Sequence, residues 1–407
     1  MQPPTRATPG FGATIAALSV GQILSWATLY YGFSSFVLPM MRGQGWDKPT
    51  VMGAFTLGLA AWGGASYAVG AAIDRGRGRA VLTWGAALSC LGCLAWSQAT
   101  SPAALYGAWV LLGVTMAMTL YEPVFMVVTL RYPDRYRQGI TAITLVAGFA
   151  STLSFPACAA LIEALGWRQA LVALAVVQAV VVVPLHAWAL QGPAVQRQAA
   201  EDAGAPDATL RQALRLSSFW LLTLCFTLYA FASAALWAHL MPAFEAKGWS
   251  AAQALAVVVW IGPSQVLARV ALATLGRRLP LRQVGVAVLL GMPLALAIFA
   301  LATEGWLLAV FAVLFGMANG LVTLVRGGLV PEYFGRAQIG RISGTMSALG
   351  LLARAVAPVL TAWLLLVMPG YPQVLGVLAA VAAAATVAFV LAGPPRPRDR
   401  PRHVDPG

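Results

Sequence analysis

The sequence predicts an all-α membrane protein of twelve transmembrane helices in two six-helix halves. Three observations carry that prediction. The 407 residues are 60% hydrophobic and only 10% charged, whereas soluble domains carry about 25% charged residues. The apolar residues are gathered into twelve long runs. The pattern of the first six runs also recurs in the second six.

A spanning helix needs about 20 predominantly apolar residues. In chain order, such stretches cover roughly 11–39, 51–72, 80–99, 103–129, 138–164 and 168–190. After a polar stretch they resume at about 218–244, 252–275, 283–303, 306–330, 340–367 and 373–392. Several contain Pro or Gly, which membrane helices tolerate better than soluble ones. The first run is too long for the apolar region of a cleavable signal, and only Arg6 precedes it among basic residues, so it reads as span one.

The net charge of +13 does not form a nucleic-acid-binding face, because the arginines sit in short segments between apolar runs. With both termini inside, 19 Lys and Arg residues fall on the inner side and 4 on the outer side. This asymmetry predicts a multi-pass protein of the cell inner membrane with both termini cytoplasmic. It divides the chain into an N-terminal half (1–190), a cytoplasmic linker (191–217), a C-terminal half (218–392) and a disordered cytoplasmic tail (393–407). The linker reading rests on Pro193, Gly204 and Pro206 among small and charged residues, and the tail reading on its Pro-Arg repeats.

The halves match at an offset of 203 residues. Pro39, Gly45 and Trp46 correspond to Pro242, Gly248 and Trp249, each set just after the first span of its half. Asp74-Arg75 falls on Arg277-Arg278, and Leu112-Gly113 on Phe315-Gly316. Duplicated halves in parallel orientation can rock about a shared site near mid-membrane, which is the physical basis of alternating access.

Other chemistries find little support. Cys90 and Cys93 have redox spacing but lie in an apolar run, as do Cys158 and Cys225, and burial makes such thiols inert. His186 and His239 stand alone, with no ligand-spaced partner for a metal, so no cofactor is expected. Neither a metal-binding His-Glu-x-x-His nor a nucleophile elbow Gly-x-Ser-x-Gly occurs, which argues against an enzyme.

The loop Gly70-Ala71-Ala72-Ile73-Asp74-Arg75-Gly76-Arg77-Gly78-Arg79 resembles the signature loop of the major facilitator superfamily, with Gly78 one place later than the usual spacing. More narrowly, the chain is similar to the monocarboxylate transporter and oxalate–formate antiporter branch. Tyr30-Tyr31-Gly32, Gly166-Trp167-Arg168 and Gly262-Pro263-Ser264-Gln265-Val266 leading to Arg269 carry that likeness. The resemblance implies secondary active transport by a protein that works as a monomer. Asp74 lies at the cytoplasmic end of span two, where the positive N-terminal end of span eleven also emerges. It can dock there and hold the cytoplasmic side closed with Arg75 nearby; the bland alternative is that the loop serves topology alone.

Charged side chains at mid-membrane cost at least about 2.5–3.5 kcal/mol each, so each calls for a reason. There are four: Glu122, Arg269, Arg326 and Arg354. Two guanidinium forks facing one cavity suit a mono- or dicarboxylate, since each can bind an oxygen pair. The branch resembled uses a basic residue in span eight and another in span eleven for this purpose, and Arg269 and Arg354 occupy those places; the bland alternative is that they brace the bundle. Glu122 reads equally as a coupling-proton carrier and as an ion-pair or gating partner of Arg269 or Arg326. Proton-coupled relatives often carry an aspartate one turn before the span-eight arginine, and here that position is Gln265. Arg326 lies near the expected end of span ten, where it can snorkel to the surface or reach the substrate. Tyr30 and Tyr31 offer rings with polar tips to an amphipathic acid.

The function expected is therefore transport of a small organic anion, with membrane lipid as solvent and protons as a candidate coupling ion. The alternative is efflux of hydrophobic drugs or metabolites on the same fold, which favours a greasy, acidic pocket over this basic one.

Overall fold

The computed structural model describes residues 8–192, 207–274 and 279–395. Among them, eleven helices are long and apolar enough to cross a membrane. The longest, Lys48–Ser97, has 50 residues. At 1.5 Å per residue that is about 75 Å, far more than a hydrocarbon core of about 30 Å. It is two spans that meet at Gly76, whose φ of 85° and ψ of 7° break the helix. Only glycine holds that backbone conformation without strain.

Twelve crossings follow: α1 (Phe11–Gln44), α2 (Lys48–Ala72), α3 (Gly78–Ser97), α4 (Pro102–Arg131), α5 (Tyr136–Leu165), α6 (Trp167–Ala189), α7 (Ser217–Ala246), α8 (Ala252–Thr274), α9 (Leu281–Leu301), α10 (Gly305–Phe334), α11 (Ile339–Val367) and α12 (Tyr371–Leu391). Large apolar side chains such as Trp84, Leu91, Leu294, Val359 and Leu366 are exposed on the outside of the bundle. In water such a surface would aggregate; in lipid it is solvated.

Two spans run further than the apolar pattern suggests. Helix α1 continues past Pro39 to Gln44, and α10 past Pro331 to Phe334. Membrane helices absorb proline because neighbouring groups satisfy the freed carbonyls. The expected linker lies partly outside the described residues, at 193–206, and the expected tail from 396 onward does too. The described end of the linker is docked on the C-terminal half. Asp207 accepts hydrogen bonds from the backbone N–H groups of Arg336 (2.8 Å) and Ala337 (3.2 Å). A capped turn, Leu210–Ala213, then leads into α7.

The duplication is visible in atomic detail. Both bounds of α4 are displaced by 203 residues in α10. Gly45 and Gly248 both end helices in the left-handed conformation, at φ 67° and 81°. Asp47 accepts from the Thr50 N–H and Ser250 from the Gln253 N–H, so the helix starts that follow are capped alike. The ends of α3 and α9 also match, through different cations. Arg168 donates to the carbonyls of Ser97 and Ala99, and Lys247 to those of Ala300 and Ala302.

The halves meet most closely along α2 and α11. A Cβ placed on Gly70 would overlap the Gly340 carbonyl, one on Gly340 would overlap the Gly70 carbonyl, and one on Gly344 would overlap the Ser66 carbonyl. Small residues let two membrane helices approach backbone to backbone, where packing and weak C–H···O contacts replace the missing hydrophobic drive. That approach predicts the effect of a bulky residue. Gly344→Val should force α2 and α11 apart and populate a state opened at the Asp74 end. With the native cysteines replaced, spin labels at Gln138→Cys and Arg211→Cys should show a longer distance distribution across that face. An unchanged distribution would show that the glycine contact does not govern closure.

Candidate functional site

The space between the halves is bounded on one side by aromatics from α1, α2 and α4. Residues Ala27–Tyr31 form a single π-turn in α1, a feature often found at functional positions. Its irregular backbone is satisfied locally, with the Ala27 carbonyl accepting from the Gly32 N–H (2.8 Å) and the Ser154 hydroxyl (2.9 Å). The turn gathers Trp26, Tyr30 and Tyr31 with Trp62 and Tyr121. Ring centroids of Trp26 lie 5.3 Å from Tyr30, 5.8 Å from Tyr31, 6.1 Å from Trp62 and 4.8 Å from Tyr121.

Helix α4 is broken beside this wall. Leu120 is extended, and Pro123 has no N–H to give the Thr119 carbonyl, to which Gln22 of α1 donates at 2.5 Å. The helix restarts at Tyr121, which puts Glu122 in a first turn. A carboxylate is favoured there by the positive end of the helix dipole.

The opposite wall carries the arginines. Arg269 of α8 is only 5% exposed. Its Nε donates to the Gly320 carbonyl at 2.9 Å, while its Nη1 is buried and has no partner. That nitrogen is packed against Gly148 of α5, at the break in α5 where a Cβ would overlap it. An unpaired buried guanidinium donor loses a full desolvation penalty of about 1–3 kcal/mol or more. Arg354, half-buried in α11, has no hydrogen-bond or ion-pair partner among the described residues. The charges of Arg269 and Arg354 both act on Tyr31; Arg269 also acts on Tyr121, and Arg354 on Tyr229 and Arg326. These three arginines and three tyrosines therefore lie within reach of one another's charge.

Arg326 does not snorkel. Because α10 continues to Phe334, the residue lies deeper than the apolar pattern suggests, and its guanidinium is held inside. It pairs with Glu122 across the halves at 3.4 Å, donates to the Ser347 hydroxyl and lies 5.9 Å from the Phe226 ring. Of the two partners open to Glu122 from its sequence position, the structure selects Arg326. The remaining pair, Arg269 and Arg354, is left without a carboxylate among the described residues.

The hydrogen bonds that join the halves gather toward the end that carries Asp74. The Asp74 carboxylate accepts from the backbone N–H groups of Gly340 (2.7 Å) and Arg341 (3.0 Å), at the start of α11. Arg137 pairs with Glu332, Arg336 donates to the Pro133 carbonyl (2.9 Å), and the Tyr136 hydroxyl donates to the Gly328 carbonyl (3.3 Å). Arg75 is exposed and acts on Asp74 through its charge. The protein is thus closed at the Asp74 face.

Residues that sequence reasoning passed over complete the site: Gly148 as the seat of Arg269, Gly320 as its acceptor, and Ser347 beside Arg326. The glycines did leave a signal. Gly316 and Gly320 are one turn apart, and both press on α8, where added Cβ atoms would meet Ile261 and Gln265.

A family model described as the Major Facilitator Superfamily matches residues 18–303, more than half of the chain. No curated protein is a significant match. Similar solved structures include the human organic anion transporter MFSD10 (TETRAN), at 16% identity and a TM-score of 0.74, covering 94% of this chain and 100% of that one. The E. coli fucose:proton symporter FucP is also similar, at 12% identity and a TM-score of 0.73, covering 93% and 98%. A FucP structure in the outward conformation gives 13% identity and a TM-score of 0.74. At these identities the likeness concerns the fold.

The Glu122–Arg326 pair can be tested by a double substitution. Glu122→Gln or Arg326→Gln alone leaves a partly buried charge uncompensated and should destabilise the protein by about 1–3 kcal/mol. The double variant should recover most of that loss in thermal unfolding of detergent-purified protein. Additive losses would mean that the two groups do not act as a pair.

Proposed function

This chain belongs to the Major Facilitator Superfamily, and from that premise we propose that it moves a small organic anion by alternating access, with Arg269 and Arg354 binding the carboxylate. It is a multi-pass membrane transporter and not an enzyme. The observation that carries the substrate reading is the buried Nη1 of Arg269, which has no partner and lies beside the space shared with Arg354 and Tyr31. A carboxylate entering that space would satisfy the orphan donor and relieve the mutual repulsion of the two guanidinium groups. The facing aromatic wall, including Tyr30 and Tyr31, would receive the apolar body of the same molecule.

Arg326 is already neutralised by Glu122, so two uncompensated positive charges remain, which supports a mono- or dicarboxylate as the anion. The positive-inside asymmetry favours a cytoplasmic position for the Asp74 face, which makes this conformation the outward-facing one. Proton coupling, where it occurs, would run through Glu122 and its release from Arg326, because Gln265 cannot titrate.

Uptake of labelled mono- and dicarboxylates into proteoliposomes tests the reading. Wild-type protein should accumulate at least one monocarboxylate bearing an apolar body. Arg269→Ala and Arg354→Ala should each raise KM about 10–100-fold, the loss of one charge-assisted contact of about 1.5–3 kcal/mol. Normal transport by both variants, or movement of neutral or cationic compounds alone, would sink the anion reading and leave the fold intact.

A further inference from the structure

A cavity lies away from Arg269, Arg354 and the aromatic wall. It measures about 550 Å³ and is lined by the α2–α3 turn, the start of α3 and the ends of α4 and α6. Its lining residues belong to the N-terminal half, with Gly192 just beyond the end of α6. A transported molecule that must pass between the halves therefore has no route through it.

Three arginines stand at this cavity: Arg77, Arg79 and Arg131. None has a carboxylate at ion-pair distance among the described residues. Arg79 uses its Nε on the Ala187 carbonyl (3.0 Å), and Arg131 uses one Nη on the Gln191 carbonyl. These bonds fix both guanidinium groups at the end of α6 and leave most of their five donors free. Arg77 makes no hydrogen bond among the described residues and is exposed. Most of the remaining lining is apolar, with Ile73, Val127 and Leu130 inside and Trp84 at the edge, while Thr83 adds a buried hydroxyl that has no partner. Trp84 is 65% exposed on the face of α3 that also presents Leu91, two turns further along. That face is solvated by acyl chains, and an exposed indole suits the boundary between chains and headgroups.

We propose that this cavity is a binding site for an anionic phospholipid. The phosphate would be held by Arg77, Arg79 and Arg131, and an acyl chain would leave over Trp84. A basic pocket between helices at the membrane surface recognises an anionic headgroup, and the apolar edge distinguishes a lipid from a free anion. Arg77 closes the short turn that presents Asp74 to α11, and Arg79 stands in the first turn of the helix that follows. An occupied site therefore steadies the turn on which closure depends.

Native mass spectrometry of the purified full-length chain tests the site, with dioleoyl phosphatidylglycerol, dioleoyl phosphatidylcholine and inorganic phosphate as probes. Phosphatidylglycerol should bind at least about tenfold more tightly than phosphatidylcholine, and Arg77→Gln with Arg79→Gln should weaken it about fivefold per arginine removed. Arg77→Lys with Arg79→Lys keeps the charge needed for insertion and should bind with intermediate strength. Trp84→Ala, which leaves the arginines in place, should weaken the lipid as well. Arg211→Gln with Arg215→Gln removes the same charge from exposed positions outside the cavity and should leave binding unchanged. Equal binding of the two lipids, an equal loss in that control, or displacement of phosphatidylglycerol by millimolar inorganic phosphate would overturn the proposal. The last result would identify a free-anion site.

Discussion

Closure of one face depends on how near two backbones can come. Where α2 crosses α11, Gly70 and Gly340 touch carbonyl to Cα, and no side chain intervenes. Only at that separation can the Asp74 carboxylate reach the two unsatisfied N–H groups at the start of α11. The first N–H groups of any helix lack partners and carry its positive dipole end, so the acid supplies hydrogen bonds and charge together. Arg137–Glu332 and the bonds of Arg336 and Tyr136 lie around this contact and add to it. The two arginine contacts are partly exposed and each of modest worth, while the Tyr136 bond is buried.

The interior is organised by which charges are compensated. Glu122 and Arg326 neutralise each other across the halves, with Ser347 as a further acceptor. Arg269 is compensated in part, by one carbonyl, and Arg354 by none among the described residues. Helices that break beside the cavity, at Leu120 in α4 and near Gly148 in α5, give the space its irregular lining. Backbone irregularity at membrane depth is tolerated where it is covered by protein or borders a cavity. Here Gln22 donates to the carbonyl left free at the α4 break, and Ser154 donates to the Ala27 carbonyl in the π-turn of α1.

The sequence made the number of crossings and the duplication legible, because both are written in long apolar runs and in Gly, Pro and Trp at a fixed spacing. Mid-membrane arginines were legible for a related reason: lipid makes each charge conspicuous. What a charge touches was not. The partner of Glu122 depends on α4 restarting at Tyr121 and on α10 running on through Pro331, and neither leaves a trace in hydropathy. The same extension misplaced Arg326 toward the surface. Gly148 as the seat of Arg269 was invisible too, since it follows from how α5 meets α8.

The offset that relates the halves also relates their contents. Displaced by 203 residues, Ser66 corresponds to Arg269, and Pro123 to Arg326. Ser66 lies where α2 meets α11 without a gap, its carbonyl against Gly344. By the same symmetry the partner pair is α8 with α5, and there the large side chain of Arg269 packs against Gly148, while the position equivalent to Gly344 is Thr141. One doubled helix crossing thus occurs with two chemistries. In one copy a small residue lets two backbones meet in a dry seam; in the other a guanidinium fills the crossing and keeps one donor unpaired. Two joints related by a single offset need not be sealed by the same kind of contact.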